Sequence, residues 1–399
     1  MRVGIFTETF TPDINGVVTS VVALKKALEN HGHEVYIVTN HSNVIKTVYE
    51  VEDRILRLPG VKLGFLYGYN VSSPIQIQAT KLIKSWDLDI IHIQQEFGIG
   101  TYGRYLASRW EIPLLNTYHT TYEDYTHYVN PLDVEFISSF SKKVIELYSK
   151  SFTKRSNIII TPSQKTKDML VGYKIDKVIN VIPTGLDLES FSRQNMNPEI
   201  VNSIREKHGI SKDDILFTYV GRIAQEKSID MIIDAFELLN EEDTKARLLI
   251  VGGGPDLEML RKDVENRNLT HIVQFEGQVS SDQVAHYYHT AQAFISASTS
   301  ETQGLTYIEA LASGIPIFAR KDEVLDHIVR DRENGFYFDD SKHLAEVITQ
   351  YISQPERHAA IGEKALETSQ VYSLDNYYDN IIKTYREAIE IEEYENSID

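Results

Sequence analysis

The sequence contains no cysteine. That excludes a disulfide framework, a thiolate metal site and a catalytic thiol, and it suits a reducing compartment. Nor is there an apolar run approaching the roughly 20 residues that a membrane-spanning helix needs. The opening residues, Met1-Arg2-Val3-Gly4-Ile5-Phe6, show neither the basic start nor the long apolar stretch of a secretory signal. These absences predict a cytoplasmic protein. Positive charge is also in short supply, with 40 Lys and Arg against 58 Asp and Glu and a net charge of −18. Nucleic acid is therefore not expected as a partner, because counterion release needs clustered cations. Through Ser190 the two signs cancel, so the negative excess lies in the second half and ends in Glu387, Glu390, Glu392, Glu393 and Glu395.

The 399 residues exceed what one ordinary core encloses, and their 42% hydrophobic content is that of a globular enzyme. Strand-like runs at Val3 to Thr7, Glu34 to Thr39, Ile90 to Gln94 and Leu114 to Tyr118 alternate with helical segments such as Val17 to Asn30. That is the rhythm of a parallel sheet covered by helices. Asn157 to Ile160 and Val178 to Ile182 are continuously apolar or nearly so, as expected of strands buried on both faces. A polar stretch follows Pro183-Thr184-Gly185-Leu186-Asp187, and strands resume at Ile215 to Tyr219, Arg247 to Val251, Val273 to Glu276, Ala293 to Ser296 and Ile315 to Ala319. The expected architecture is α/β, with two doubly wound, Rossmann-like domains over 1–186 and 187–374. A helix and acidic tail over 375–399 should pack back towards the first.

The strongest local signal is Ser300-Glu301-Thr302-Gln303-Gly304-Leu305-Thr306-Tyr307-Ile308-Glu309, between a strand and a helix. A loop-borne Glu301 and a helical Glu309 can face one crevice from different depths, being slightly more than two helical turns apart. Gly304 allows close backbone approach, and the N–H groups of Leu305 and Thr306 sit where a helix start attracts phosphate. A solvated surface loop is the plainer reading of the same pattern. Gly221-Arg222-Ile223-Ala224-Gln225-Glu226-Lys227 follows the strand that begins the second domain. Its Arg222 and Lys227 would suit a diphosphate at the sheet's carboxyl edge. In the first domain, Gly16 precedes a helix, and His119 ends a strand ahead of Thr120 to Tyr128, a segment dense in aromatic and hydroxyl groups. The full dinucleotide pattern G-x-G-x-x-G is absent, which disfavours a nicotinamide or flavin enzyme. Asp87-Leu88-Asp89 has the look of a paired-aspartate metal clamp but reads as a turn, and no metal is assigned to it. His286-Tyr287-Tyr288-His289 lacks zinc spacing and reads as a helix surface.

Taken together these residues resemble the retaining glycosyltransferases of the GT-B fold, whose signature is two glutamates separated by seven residues. The resemblance spans nearly the whole chain and includes Val251-Gly252-Gly253-Gly254-Pro255 and Gly277-Gln278-Val279. It implies two domains facing across a cleft and a nucleotide-sugar donor, with no tightly bound cofactor. Arg222 and Lys227 would neutralise the diphosphate, assisted by backbone at Gly304, Leu305 and Thr306. Glu309 would hold the ribose and Val279 would lie near the base. Glu301 would contact the transferred sugar, His119 its 6-position, and Gly16 phosphate or sugar. Such enzymes work by positioning and charge stabilisation rather than through a metal clamp.

Ile14-Asn15-Gly16-Val17-Val18-Thr19-Ser20-Val21 and Asn116 to Tyr125 are similar, more narrowly, to bacterial enzymes that glucosylate diacylglycerol. This implies glucose from UDP-glucose, a lipid acceptor and peripheral attachment to the inner membrane face. Phe136, Phe140, Val144, Leu147 and Tyr148 recur at helical spacing, with Lys142, Lys143, Lys150, Lys154 and Arg155 largely elsewhere. A basic amphipathic helix suits an anionic membrane, and the same stripe would also suit a helix that packs onto the core. The alternatives are the same donor chemistry on a soluble or polymeric acceptor, a sugar-nucleotide epimerase, and a silent binding partner of another transferase.

Overall fold

The computed structural model describes residues 1–41, 46–62, 70–73, 76–119, 135–241 and 244–398. The chain forms two compact units, Met1–Gly185 with Leu374–Asp399, and Leu186–Ser373. No helix among the described residues is long and apolar enough to cross a membrane.

In the first unit nine strands form one sheet: β1 (Arg2–Phe6), β2 (Glu34–His41), β3 (Val48–Glu50), β4 (Ile55–Lys62), β5 (Asn70–Ser72), β6 (Ile90–Ile93), β7 (Leu114–Thr117), β8 (Ile158–Thr161) and β9 (Val178–Val181). Their order is β3-β4-β2-β1-β6-β7-β8-β9, with β5 on β4. All pairs are parallel except β3 with β4 and β4 with β5. The central strands are apolar on both faces because helices cover both. Val3, Ile5, Ile37, Leu115 and Ile158 pack towards the helices Gly16–Asn30 and Leu374–Ile398, and Phe6, Ile91, Ile93 and Leu114 towards Gly98–Trp110. The long C-terminal helix is fastened by polar contacts as well as by its apolar face. Tyr385 Oη lies 2.8 Å from His92 Nδ1, and Glu392 accepts from Arg155 Nη2 at 2.8 Å and Asn157 Nδ2 at 2.7 Å.

The second unit holds β10 (Ile215–Val220), β11 (Ala246–Val251), β12 (Val273–Gly277), β13 (Ala293–Ser296), β14 (Ile317–Arg320) and β15 (Gly335–Phe338). Their order is β12-β11-β10-β13-β14-β15, all parallel. Strand order therefore reverses between β10 and β13, and in the first unit between β1 and β6. Open parallel sheets leave a crevice at such switch points, beyond the carboxyl ends of the strands.

At the first unit's switch point lies a buried carboxyl, Glu8. It accepts from Ile99 N at 2.6 Å and from Asn40 Nδ2 at 2.7 Å. Gln95 Oε1 takes the backbone N–H groups of Glu8 and Thr9 at 2.9 and 3.0 Å. Burial raises the Glu8 carboxyl from 4.5 to about 7, against the lowering effect of its hydrogen bonds. An acid whose pKa rises on folding contributes stability fully below about 4.5, and that contribution is lost as pH climbs through about 7. Denaturant unfolding of wild type and Glu8→Gln at pH 4.5 and 7.5 should therefore show the wild type losing on the order of 3 kcal/mol relative to the variant. A difference that does not change with pH would contradict this.

Candidate functional site

In the second unit the loops after β10, β11 and β12 are tied together through their backbones. Gly221 N donates to Val251 O at 3.0 Å, Ile223 N to Gly253 O at 2.9 Å, and Gly252 N to Gly277 O at 2.8 Å. A Cβ at Gly252 would lie 1.8 Å from the Gly221 carbonyl oxygen, and the residue's φ is +143°. Glycine is required there by contact and by conformation alike. This weave fixes where Arg222 emerges, and the Tyr219 hydroxyl donates to the Arg222 carbonyl at 2.7 Å.

Lys227 closes the short turn Gln225–Lys227. Its Nζ lies 2.8 Å from Glu301 Oε1 and 3.3 Å from Ser298 Oγ, bridging the loops after β10 and β13 across the switch point. Arg222 Nη1 is 3.7 Å from Glu226 Oε1, and its side chain remains 39% exposed. Two cations and two carboxylates thus meet at one strand edge. A mostly covered pair such as Lys227–Glu301 is weak evidence of stabilisation, since desolvation offsets much of the attraction. It does hold both side chains in one place for a ligand.

Gly304, with φ +78°, turns the chain into the helix Leu305–Ala312, whose start has no side-chain cap. The N–H groups of Leu305 and Thr306 belong to that first turn, where the helix dipole favours an anion. Glu309 lies one turn further on. It is half-buried, receives the Tyr288 hydroxyl at 2.9 Å, and is raised by its dry surroundings from 4.5 to about 7. Val279, just beyond β12, is half-buried against the apolar cluster that includes Tyr287 and Tyr288. The second unit thereby places Arg222, Lys227 and Glu301 in the loops at its switch point, with Gly304, Leu305, Thr306 and Glu309 on the segment that follows.

In the first unit His119 follows β7, and its Nε2 lies 2.7 Å from Gln94 Oε1. Burial lowers the imidazole from 6.5 to about 4, so it stays neutral at physiological pH. The segment from Thr120 to Tyr128 lies outside the described residues. Gly16 is the first residue of the helix Gly16–Asn30, capped by Asn15, whose side chain accepts from Val18 N at 3.0 Å. Nothing lies within 4 Å of a Cβ built at Gly16, so close packing does not explain the glycine. Asp87 and Asp89 are occupied with Arg2, Asp87 through the guanidinium at 2.7 Å and Asp89 through the backbone N–H at 2.7 Å.

Two expectations are corrected. Residues 286–289 are not a helix surface: Tyr288 is fully buried, and His289 Nε2 contacts the Phe191 carbonyl at 2.8 Å. The reason is that the short helix Val284–Thr290 is covered by Leu188–Phe191 and Pro198–Lys207. Arg155 lies beyond the helix Glu135–Thr153 and is engaged by Glu392, which removes it from the basic face. On that helix Lys143 and, just beyond it, Lys154 are exposed, and Lys150 pairs with Glu146 at 2.6 Å. Val144 is 47% and Leu147 59% exposed, and the core takes Ser149 and Phe152 instead. The stripe therefore points away from the core at these positions. The side chains of Phe136, Phe140 and Lys142 lie outside the described residues.

Sequence reasoning missed Glu8 with Gln95, and Tyr288 behind Glu309. The polar run Gln94-Gln95-Glu96 directly after a buried strand was a signal for the first. The second had none, since only tertiary packing brings position 288 to Glu309.

Residues 14–190 match the family described as Glycosyltransferase Family 4, and residues 201–368 that described as Glycosyl transferases group 1. The chain is similar to the alpha-monoglucosyldiacylglycerol synthase of Acholeplasma laidlawii, with 35% identity over 98% of this chain and 98% of that one. It is similar also to the Streptococcus pneumoniae enzyme of the same name, with 34% identity over 98% of this chain and 86% of that one. Among solved structures, Anabaena Alr3699/HepE in complex with UDP-glucose superposes with a TM-score of 0.74 at 18% identity, covering 96% of this chain and 99% of that one.

The contrasting glycines give a direct check on this geometry. Gly252→Ala should lower stability by about 2–4 kcal/mol, and Gly16→Ala should change it by less than about 0.5 kcal/mol. Denaturant midpoints of the two variants measure both, and equal losses would contradict the assignment of a packing role to Gly252 alone.

Proposed function

The chain belongs to the glycosyl transferases of group 1, two-domain enzymes of the GT-B fold, and from that premise we propose that it moves glucose from UDP-glucose to diacylglycerol with retention of anomeric configuration. The carrying observation is the meeting of Arg222, Lys227 and Glu301 at the second unit's switch point, beside an uncapped helix start. Two cations and free N–H groups suit a departing diphosphate, whose charge grows as the C1–O bond breaks. Glu309 takes the ribose hydroxyls, Val279 flanks the base, and Glu301 contacts the sugar as it acquires oxocarbenium character. In the first unit His119, kept neutral by burial and held at Nε2 by Gln94, is the candidate for contact with a sugar hydroxyl. The acceptor oxygen forms the new bond to C1 on the face the diphosphate leaves, and the acceptor proton passes to the departing β-phosphate oxygen.

The lipid acceptor is supported by the two named relatives and by exposed Val144 and Leu147 beside exposed Lys143 and Lys154. These side chains would rest on an anionic surface at the cytoplasmic membrane face. A soluble or polymeric sugar acceptor with the same donor chemistry is the competing reading, followed by epimerisation of the donor alone.

Transfer of radiolabel from UDP-glucose into organic-extractable product, on vesicles of diacylglycerol with and without anionic lipid, tests this reading. Label should appear in the lipid phase and vanish in Glu301→Ala. Arg222→Ala should lower kcat by about 100-fold or more with a smaller change in donor KM, because its partner charge develops in the transition state. Tight UDP-glucose binding without labelled lipid would remove the lipid acceptor. Burial raises the Glu309 carboxyl to about 7, and its ionised form accepts ribose hydroxyls more strongly than the neutral acid, so donor KM should rise as pH falls below that value. Glu309→Gln should flatten this dependence, and a wild-type profile level from pH 6 to 8 would contradict the role of Glu309.

A further inference from the structure

Tyr288 is a buried tyrosine whose hydroxyl reaches a carboxylate side chain of the proposed donor site. Its ring is fully buried and walled by Phe191, edge-on at 6.0 Å, and by Phe294 at 5.9 Å, so the hydroxyl has little freedom of position. From there the hydroxyl faces two acceptors on one helix turn, Glu309 Oε2 at 2.9 Å and the Thr306 carbonyl at 3.1 Å. Glu309 sits at a half-buried position on the short helix Leu305–Ala312, and an unrestrained glutamate has several staggered rotamers open to it. A donor anchored in the core to one carboxylate oxygen selects among them and leaves Oε1 for a ligand. A buried hydroxyl bonded to a carboxylate also forms a charge-assisted contact, stronger than a neutral one.

We propose that Tyr288 is a positioning residue for nucleotide recognition: it holds the Glu309 carboxylate by Oε2 in the rotamer that presents Oε1 to the ribose hydroxyls of a nucleoside diphosphate. The proposal rests on the reading of Glu309 as the ribose-binding group.

The test is calorimetric binding of UDP, with ADP and GDP as comparisons, to wild type, Tyr288→Phe, Glu309→Gln and the double variant, using whichever nucleotide binds the wild type most tightly. Tyr288→Phe keeps the aromatic wall and removes only the hydroxyl. It should weaken nucleotide binding about 10-fold and raise donor KM to match, with kcat changed less than about 2-fold. In the Glu309→Gln background the same substitution should add less than about 2-fold, because its effect runs through the carboxylate. Unchanged affinity in Tyr288→Phe with a clear loss in Glu309→Gln overturns the proposal and leaves the ribose reading standing. No loss in Glu309→Gln, or no nucleotide bound at all, overturns both. If Tyr288→Phe does not fold, Tyr288→Leu and Tyr288→Met carry the test, since each removes the hydroxyl and keeps an apolar side chain between Phe191 and Phe294. A matching loss of affinity supports the role of Tyr288, and full affinity overturns it.

Discussion

The interaction that organises the second unit's switch point is the 2.8 Å contact between Lys227 and Glu301. It joins the loop after β10 to the loop after β13, the two strands between which the sheet reverses its order. A parallel sheet obliges its loops to diverge there, and a diverging pair of loops needs something to hold its side chains in register. The ion pair does this from one side, and the glycine weave of Gly221, Gly252 and Gly277 does it from the other. Because both charges are partly withdrawn from water, a ligand that competes for Lys227 also changes the environment of Glu301. In the proposed reaction, diphosphate binding at Lys227 and sugar contact at Glu301 would be coupled through one bond.

The two units solve the switch point differently. In the second, charged side chains stand at the edge and remain partly accessible. In the first, Glu8 is buried and satisfied by backbone and amide donors, with Gln95 gathering the loop after β1. That arrangement is a scaffold. It holds the loop leading to Gly16 and keeps Gln94, the neighbour of Gln95, against His119. The cost of burying Glu8 appears as a raised pKa, and the hydrogen bonds from Asn40 and Ile99 offset part of it.

Much of this was legible in the residues. Central strands such as Ile90–Ile93 and Val3 to Phe6 declared themselves by continuous apolar character, and the switch-point motifs by glycine and charge directly after such strands. The edge of the first sheet was not legible. β4 carries Pro59 and Gly60, which speak against a strand, yet it is tolerated because it lies near the sheet's edge beside the short β3 and β5. The basic helix was legible in period but not in direction: only the structure turns Val144 and Leu147 outward and assigns Arg155 to Glu392. Tyr288 was misread as surface because its neighbours are polar, and polarity of neighbours says little about a short helix covered on two sides.

In the proposed reaction a sugar leaves a nucleoside diphosphate and reaches diacylglycerol on the same face, with protein charge rather than a metal assisting departure. The most direct measurement is the anomeric configuration of glucosyl lipid formed from UDP-glucose, an α-anomer, by magnetic resonance on product made with and without a chelator. Same-face transfer without a metal should give α-linked product at equal rates in both. A β-linked product would contradict same-face transfer, and loss of activity in the chelator would contradict the assignment of charge stabilisation to Arg222 and Lys227.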